Sequence, residues 1–296
     1  MSSSVTKAVI PAAGFGTRML PFTKAVPKEL IPLVDTPVLQ YVVEEAIASG
    51  AKDILMIISD GKEAVKRHFS PAEELEKHLV DSGREQLLGT LNKIHAAVNI
   101  TYVYQKDLNG LGGAVALAED FVGKDPFFVL LGDTVMDSPG NLPVAGQLAE
   151  CYEKYGDPVI AVSLVPPEKV SSYGIVSGCE ISERIWLLDD LVEKPDASVA
   201  PSQMAVTARY LLTPDIFPAL NRTVPGKNNE VQLTDAIRKV MAQRNFYGCQ
   251  ITGKRFDLGN VNGFIAANVE FALRRPELQE VLGRQISDIL KEKNIL

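Results

Sequence analysis

The chain contains few of the residues that build covalent or metal-held frameworks. Its 296 residues include 3 cysteines and 3 histidines, and no two cysteines form a C-x-x-C pair. Cys151, Cys179 and Cys249 are isolated from one another, so their spacing predicts neither a disulfide framework nor a structural zinc site. We expect three reduced thiols, as is usual for proteins of a reducing compartment.

Long apolar runs and a leader-like beginning are also missing. No stretch approaches the ~18 uninterrupted apolar residues of a membrane-spanning helix, and the first residues, MSSSVTK, lack the charged-then-apolar layout of a signal peptide. A formal net charge of -7 argues against a surface for nucleic acid. We therefore expect a cytoplasmic protein that binds neither membrane nor nucleic acid, and any phosphate site should be a small local cluster of cations and backbone N–H groups.

The first half of the chain alternates between predicted strands and helices. Helical spacing predicts helices over residues 37–49 and about 113–121. Such alternation predicts an α/β fold with a doubly wound, mixed but mostly parallel sheet, in other words a Rossmann-like architecture. Short apolar runs typical of buried parallel strands cover residues 7–12, 53–58, 100–104 and 126–131.

Two later parts of the chain depart from this alternation. Residues 61–97 are polar and have helical periodicity without a strand, which predicts a helical insertion that carries all three histidines, His68, His78 and His95. From residue 157 onward the strands are less regular, which suggests a mixed extension of the sheet for a second ligand. The predicted elements there are strands over 158–164, 174–177, 185–192 and 205–212, helices over 231–244 and 261–274, and a charged helical tail over 277–293.

A glycine-rich segment follows the first predicted strand. Residues 10–30 read IPAAGFGTRMLPFTKAVPKEL, and a glycine-rich turn after a strand lets backbone N–H groups face a phosphate. The spacing matches neither the dinucleotide pattern G-x-G-x-x-G nor the P-loop. The segment presents Arg18, Lys24 and Lys28, and three cations in an acidic protein favour a phosphate site over the alternative of a solvated basic loop.

A carboxylate stands directly after a buried strand. Asp133 follows PFFVLLG, and the carboxyl ends of parallel strands are where α/β folds bind ligands. Magnesium takes one or two carboxylates together with substrate phosphates. Asp133 is therefore a candidate metal ligand, and the alternative is that it caps the turn after the strand.

Motifs spread over about the first 270 residues carry a family resemblance. The G-x-G-T-R…P-K-E pattern at residues 14–29 resembles the signature of the nucleoside-diphosphate-sugar pyrophosphorylases, which are nucleotidyltransferases. The longer string AVIPAAGFGTRMLPFTKAVPKELIPLVDTPVLQYVVEEAIASGA closely resembles bacterial members of that family. The likeness continues through GLG at 110–112, YGIV at 173–176, EKP at 193–195, EVQLTDAI at 230–237 and FDLGN at 256–260.

The resemblance implies an activity and a nucleotide site. The expected reaction transfers a uridylyl group from UTP to glucose 1-phosphate and yields UDP-glucose and pyrophosphate, with Mg²⁺ as cofactor. Arg18 and Lys28 would neutralise the triphosphate, and the amide of Gln105, at a predicted strand end, could pair with uracil. The alternative for Gln105 is an exposed strand-end amide. The nucleotide-binding residues implied are Ala13, Gly14, Gly16, Gln105, Gly110 and Gly112.

The resemblance also implies a sugar site and a second metal ligand. Glu193 would bind glucose hydroxyls, Lys194 the sugar phosphate, and the backbone of Gly174 the hexose. Asp257, in FDLGN, would join Asp133 as a metal ligand. The catalytic set implied is therefore Arg18, Lys28, Asp133 and Lys194, while Glu230 and Asp235 are expected to cap and charge the start of a helix.

The implied domain organisation is simple. Residues 1–270 form one nucleotidyltransferase domain, with a nucleotide-binding half over 1–135 and a sugar-phosphate-binding half over 136–270. Residues 271–296 form a helical tail. The resemblance also implies a homo-oligomer, either a homodimer or a homotetramer.

Two residues depart from the family pattern beside the site. The family usually reads GLGH, whereas Gly113 follows Gly112 here, and Thr134 stands where an acidic residue often follows the metal-binding aspartate. Loss of the imidazole is expected to enlarge the pocket near the nucleotide, and loss of the carboxylate to weaken the local negative field. These departures leave two alternatives open: a thymidylyltransferase, and a non-catalytic paralogue that binds a nucleotide sugar.

Overall fold

The computed structural model describes residues 4–140, 142–226 and 229–295, so the predicted ends of the domain and tail, residues 1–3 and 296, lie outside the described residues. The strands are β1 (Lys7–Pro11), β2 (Pro32–Leu33), β3 (Thr36–Pro37), β4 (Asp53–Ile58), β5 (Asn99–Tyr104), β6 (Phe127–Leu130), β7 (Thr134–Asp137), β8 (Val159–Leu164), β9 (Gly174–Ser182), β10 (Ile185–Glu193), β11 (Met204–Leu212), β12 (Tyr247–Gln250) and β13 (Lys254–Asp257).

The helices in the same ranges are α1 (Val38–Ala48), α2 (Glu63–His68), α3 (Glu73–Asp81), α4 (Gly89–Ala97), α5 (Gly110–Ala116), α6 (Glu119–Val122), α7 (Val144–Tyr155), α8 (Ile216–Asn221), α9 (Leu233–Met241), α10 (Val261–Leu273) and α11 (Pro276–Glu292). Short 3₁₀ turns include Thr17–Met19 and Lys28–Leu30. None of the described helices is long and apolar enough to cross a membrane.

One nine-stranded sheet contains strands from both halves of the chain, in the order β5-β4-β1-β6-β11-β8-β12-β10-β9. The four strands from the first half, β5, β4, β1 and β6, are parallel neighbours. Of the strands that the structure describes in this sheet, β11 and β10 run antiparallel to their neighbours. The predicted mixed, mostly parallel sheet is therefore confirmed.

Helices cover both faces of this sheet. Along β1, Ala8 and Ile10 belong to one apolar layer and Val9 to the other, because successive side chains of a strand point to opposite faces. Helices α1 and α7 pack on the first layer, where Leu39 is buried, and α5, α8 and α9 pack on the second, where Phe217 is buried. The doubly wound α/β prediction is confirmed.

The polar segment 61–97 is helical, as predicted. It contains α2, α3, the 3₁₀ turn Glu85–Leu88 and α4, and no strand lies in this fully described stretch of backbone. Its buried apolar side chains include Val65, Phe69, Leu79, Leu88 and Ile94, and three of them, Val65, Phe69 and Ile94, belong to the apolar layer under α1. The insertion covers the sheet beside β4 and β5 and leaves the opposite, polar side to solvent.

Three boundary predictions need correction. The helix expected over 113–121 is two short helices, because the N–H of Leu117 bonds to Ala114 O in a 3₁₀-type turn that ends α5. The helix expected from residue 231 begins only at Leu233, since the N–H of Val231 donates to Asn109 O at 2.7 Å. The strand expected over 174–177 continues to Ser182 because it pairs with β10 along its length.

A separate two-stranded sheet joins distant parts of the chain at the edge where the parallel strands end. Strand β7 pairs antiparallel with β13, and the register places Thr134 opposite Asp257. The N–H of Leu258 also donates to Asp133 O at 3.3 Å. This pairing brings the two predicted carboxylate ligands together.

Candidate active site

The glycine-rich loop after β1 carries Lys28 across its surface. Gly16 has φ 69° in the left-handed region, and a Cβ added there would lie 3.0 Å from Lys28 Cβ. The Lys28 side chain also passes Gly14, at 3.9 Å from the position of an added Cβ. These glycines therefore give the lysine a path over the backbone.

Lys28 ends at the predicted metal ligand. Its Nζ lies 2.5 Å from Asp133 Oδ2, and each side chain is 18% exposed. Burial opposes the charge of Lys28, but the carboxylates of Asp133 and Glu29 outweigh it and raise the pKa of Lys28 above its usual value. Burial would likewise raise the pKa of Asp133, but Lys28 and Arg18 hold that pKa below its usual value. Asp133 is therefore held in its ionised form and paired with Lys28.

Three predicted charges converge on one backbone position. A Cβ added at Gly259 would lie 2.8 Å from Arg18 Nη2, 3.1 Å from Asp257 Oδ1 and 3.2 Å from Asp133 Oδ2. The absence of a side chain at Gly259 is thus what allows these groups to approach one another. Gly259 lies in the FDLGN motif, but no local pattern distinguishes it from the other glycines of the chain.

The carboxylates of Asp133 and Asp257 beside Gly259 fit a divalent ion that binds together with substrate phosphates. Asp257 Oδ1 accepts a hydrogen bond from the N–H of Gly259 at 2.9 Å, so this carboxylate also stabilises its own turn. In the described ranges no cluster of three or more His, Cys, Asp or Glu side chains could hold a metal unaided. Proteins typically hold Mg²⁺ with one or two carboxylates, and substrate phosphates and water complete the coordination, so Asp133 and Asp257 fit the protein's part of such a site.

A cavity of about 330 Å³ adjoins these charges and contains the predicted sugar residues. Gly174 and Glu193 are paired in the register of β9 and β10, and the Lys194 ammonium lies 2.8 Å from Glu193 Oε1. The lysine backbone has φ 43°, which is strained for a non-glycine residue, and its N–H donates to Tyr173 O. The predicted residues in the cavity wall are Arg18, Asp133, Gly174, Glu193, Lys194 and Asp257.

The predicted nucleotide residues form a second group outside that wall, at the ends of β1 and β5. Gln105 is only 6% exposed, so the exposed-amide alternative is wrong. Its Nε2 donates to Asn109 Oδ1 at 3.1 Å and to Gly110 O at 3.4 Å. Lys24 is exposed and lies outside the cavity wall, so of the three loop cations only Arg18 and Lys28 reach the site.

Gly110 and Gly112 make room for the chain itself. A Cβ at Gly110 would lie 2.7 Å from Glu230 Cβ, and one at Gly112 would lie 2.6 Å from Val231 O. At these two glycines the backbone therefore packs closely against the segment before α9. Glu230 lies ahead of Gln232, the N-cap of α9, and lines the cavity, so the prediction that it charges the helix start is wrong, whereas Asp235 does lie in the first turn.

Two buried side chains that the sequence interpretation missed hold the glycine-rich loop. Lys62 Nζ donates to Ala12 O at 2.5 Å and to Gly14 O at 2.8 Å, and Ser59 Oγ donates to Ala13 O at 2.8 Å. The carbonyls of three successive residues, 12 to 14, therefore accept hydrogen bonds from buried side chains. Because N–H groups alternate with these carbonyls, the loop can offer N–H groups to a ligand.

The charge of Lys62 is balanced by a third missed residue, Glu29. Lys62 Nζ lies 2.8 Å from Glu29 Oε2, and Glu29 is 1% exposed. Burial raises the pKa of Glu29 and lowers that of Lys62, and each charge opposes the shift of the other. Glu29 neighbours Lys28 in the PKE motif, but no local pattern links it to a lysine 33 residues later.

A buried arginine supports the loop that carries Asp133. Arg209 is 0% exposed, forms an ion pair with Glu45 at 2.8 Å, and donates to Thr134 O at 2.8 Å and Leu131 O at 3.4 Å. The available signal was a single charged residue inside the apolar strand MAVTARYLL.

A further cation reaches the cavity wall. Arg255, in β13, stacks on the Tyr173 ring with its guanidinium carbon 4.4 Å from the ring centre, and it donates to the Tyr173 hydroxyl. The sequence interpretation missed this residue too, because nothing in the KRFD segment shows which side of the strand meets the ligand.

The space beside Gly113 is filled rather than enlarged. A Cβ at Gly113 would lie 1.8 Å from Asn109 Oδ1 and 2.4 Å from Asn109 Cγ. The expectation of extra room near the nucleotide is therefore wrong, because the Asn109 side chain occupies the volume that a side chain at 113 would need. Thr134 is buried, and its hydroxyl lies 3.4 Å from Asp133 Oδ1.

The chain is similar to known proteins along most of its length. Residues 7–273 match the family described as nucleotidyl transferase. A UTP–glucose-1-phosphate uridylyltransferase of Bacillus subtilis (strain 168) is 43% identical over 293 residues, which are 99% of this chain and 98% of that protein. A UDP-glucose pyrophosphorylase solved with UDP-glucose has a TM-score of 0.86 and 38% identity over 92% of this chain and 100% of that one. The UTP-bound pyrophosphorylase of Acinetobacter baumannii has a TM-score of 0.88 and 32% identity, covering 95% of this chain and 98% of that one.

Proposed function

Because the chain belongs to the nucleotidyl transferase family, we propose that it transfers a uridylyl group from UTP to glucose 1-phosphate and releases UDP-glucose and pyrophosphate. The observation that carries the proposal is the convergence of Arg18, Asp133 and Asp257 on Gly259, at the junction between the glycine-rich loop and the cavity. The relatives named for this reaction and the neighbours solved with UTP or UDP-glucose support it.

Each half of the site has a proposed substrate. The loop from Ala13 to Gly16, together with Gln105, binds the uridine triphosphate, and Arg18 and Lys28 neutralise its phosphates. Across the junction, Lys194 binds the phosphate of glucose 1-phosphate, while Glu193 and the backbone of Gly174 bind the hexose. Gly110 and Gly112 support the nucleotide side by allowing the segment before α9 to pack closely.

The chemistry needs positioning and charge rather than a general base. A phosphate oxygen of glucose 1-phosphate attacks the α-phosphorus of UTP in line, and the bond to pyrophosphate breaks. A phosphomonoester has its second pKa near about 6, so the nucleophile is mostly dianionic at neutral pH. The barrier is repulsion between two polyanions, which Arg18, Lys28 and Lys194 reduce by holding both phosphates.

Enzymes of this kind generally use a divalent metal, and we propose Mg²⁺ here. Asp133 and Asp257 would hold it, and when bound it would neutralise charge on the nucleotide phosphates. In this structure the Lys28 ammonium forms an ion pair with the Asp133 carboxylate. On nucleotide binding we expect the ammonium to turn from the carboxylate toward the phosphates.

We also propose a cytoplasmic location, which the free thiols of Cys151, Cys179 and Cys249 support. We further propose assembly as a homodimer or homotetramer. The apolar side chains that α10 and α11 leave exposed support a subunit contact. They include Val261, Ile265, Val281 and Ile289.

A pyrophosphate-release assay over a matrix of nucleoside triphosphates and sugar 1-phosphates tests the proposed function. We expect the highest kcat/KM with UTP and glucose 1-phosphate, and UDP-glucose by mass spectrometry. Higher efficiency with dTTP would favour a thymidylyltransferase. Tight nucleotide-sugar binding without turnover in any combination would indicate a non-catalytic paralogue and refute the proposal.

A further inference from the structure

The amide of Gln105 has a defined orientation in this structure. A backbone carbonyl can only accept hydrogen bonds, so the end of the Gln105 amide that faces Gly110 O is its NH₂ group. The same NH₂ group donates to Asn109 Oδ1 at 3.1 Å. With both N–H bonds engaged inside the protein, Gln105 has its carbonyl oxygen, an acceptor, left for a ligand.

An acceptor at this place discriminates between pyrimidines. Uracil and thymine carry a hydrogen on N3 and can donate to the Gln105 oxygen, whereas N3 of cytosine carries none and would face the oxygen lone pairs. A site that leaves a polar group unpaired against the wrong ligand rejects it more strongly than an apolar site does.

We infer that Asn109 is a positioning residue that sets nucleotide selectivity by holding the Gln105 amide with its oxygen free for the base. Gly113 is the partner that permits this, because any side chain there would collide with the Asn109 amide, whose Oδ1 lies 1.8 Å from the position of an added Cβ. The inference rests on the proposed function, since it assumes that Gln105 faces the base of the nucleotide substrate.

The backbone around Asn109 keeps it in place independently of its side chain. Asn109 O accepts the N–H of Val231 at 2.7 Å, and the N–H of Gly112 donates to Val231 O at 2.8 Å. Substitution of the exposed Asn109 side chain should therefore leave the fold intact. The side chain of Asn109 can therefore be substituted without breaking the backbone hydrogen bonds that hold its loop.

A matched pair of variants tests the inference. Asn109→Asp keeps an acceptor for the Gln105 NH₂ group, whereas Asn109→Leu has a similar shape and removes the acceptor. We expect Asn109→Asp to retain the wild-type UTP:CTP ratio of kcat/KM, and Asn109→Leu to reduce that ratio about tenfold, the equivalent of one oriented hydrogen bond. The change should appear in KM for the nucleotide and leave KM for glucose 1-phosphate unchanged, which a general loss of structure would not do.

Position 113 provides the reciprocal test. Gly113→Ala introduces the colliding Cβ and should reproduce the selectivity loss of Asn109→Leu, while in an Asn109→Ala background the same alanine should cause no further loss. A wild-type ratio in Asn109→Leu, or in Gly113→Ala, would overturn the inference.

Equilibrium binding separates this inference from the proposed function. Calorimetric titration of wild-type protein and the Asn109 variants with UTP and with CTP measures selectivity without turnover. If wild-type protein prefers UTP in binding and Asn109→Leu loses that preference, the inference stands even where no product forms. If wild-type protein binds UTP and CTP equally, the inference fails, whatever the turnover assay shows.

Discussion

Asp133, a proposed metal ligand, is a partly buried carboxylate beside two cations, Lys28 and Arg18. Its pKa is held below the usual value by Lys28 and Arg18 against the effect of burial. Because the folded-state pKa is depressed, the stabilisation from ionised Asp133 is present above its unfolded value and is lost as the pH falls through the folded value. At neutral pH the site therefore offers a carboxylate.

Asp133→Asn should abolish nearly all turnover, because the amide is a poor ligand for a hard cation and leaves Lys28 without its partner. We expect a rate loss of about 10²–10³ or more, by analogy with the loss of one charge-stabilising group. Pyrophosphate release measures the rate, and a melting curve reports the fold. The matched control Asp125→Asn, at a surface pair with Lys7, should keep wild-type activity. Wild-type activity in excess chelator would contradict the metal assignment.

Gly259→Ala should reduce turnover while the protein remains folded. The added Cβ would lie 2.8 Å from Arg18 Nη2 and within 3.2 Å of a carboxylate oxygen of each proposed metal ligand, Asp133 and Asp257. A displacement of about 1 Å at a reacting centre can cost about 10²-fold in rate. The control Gly283→Ala lies in α11 with nothing within 4 Å of the new Cβ. Unimpaired turnover in Gly259→Ala would show that the three charges do not need this approach.

At the scale of elements, loops at the ends of β1, β4 and β6 form the site together. The β1 loop is held by side chains that follow β4, and the β6 loop is held by Arg209 from β11. The proposed catalytic side chains Arg18, Asp133 and Lys194 line the cavity, while Lys62 and Arg209, which hold the loop backbones, are buried. Buried hydrogen bonds thus fix the loops at this edge of the sheet, and these loops carry the polar side chains of the candidate site.

Lys62→Met should loosen the β1 loop and destabilise the protein. The methionine leaves Glu29 buried without a partner, and breaking a buried ion pair from one side costs about 3–5 kcal/mol. The double variant Lys62→Met/Glu29→Gln removes the unpaired charge and should recover most of the melting temperature. Its KM for UTP should stay raised, while its KM for glucose 1-phosphate should stay unchanged. Full recovery of the KM for UTP in the double variant would mean that Lys62 serves stability alone.

At the scale of the whole molecule, the C-terminal tail stands apart from the site. Helix α11 has no buried residue in its described length, although Leu278, Leu282 and Ile286 are half-buried and the helix packs on α10. Val281 and Ile289 are more than half exposed. The predicted apolar stripe is therefore divided between a contact within the chain and a free surface.

Deletion of the residues after Arg275 tests the proposed subunit contact. If α11 joins two copies of the chain, light scattering should give a smaller particle than the full-length protein does. That particle should still release pyrophosphate, because every proposed site residue lies upstream. A truncated protein with the assembly state of the full chain would reject the contact.

The α/β alternation of the first half and the candidate site residues could be proposed from local patterns and motifs, whereas β7, β12, β13, α7 and α8 have no counterpart among the sequence-based predictions. Short apolar runs such as DILMII at β4 are typical of buried strands, and the GFGTR…PKE segment is recognisable by its spacing. The depressed pKa of Asp133 and the burial of Gln105 could not be predicted in this way. Both depend on which side chains other segments bring alongside.

The sequence by itself determined the α/β class, the parallel first half of the sheet, the helical insertion and the residues that resemble a nucleotidyltransferase site. These follow from apolar periodicity and motif spacing, which act over a few residues. Only the tertiary structure decided that β13 pairs with β7, that Lys62 and Arg209 hold the site loops, and that Asn109 fills the space beside Gly113. Each of these is a contact between segments whose mutual approach is set by sheet topology and packing, and no local pattern contains that information.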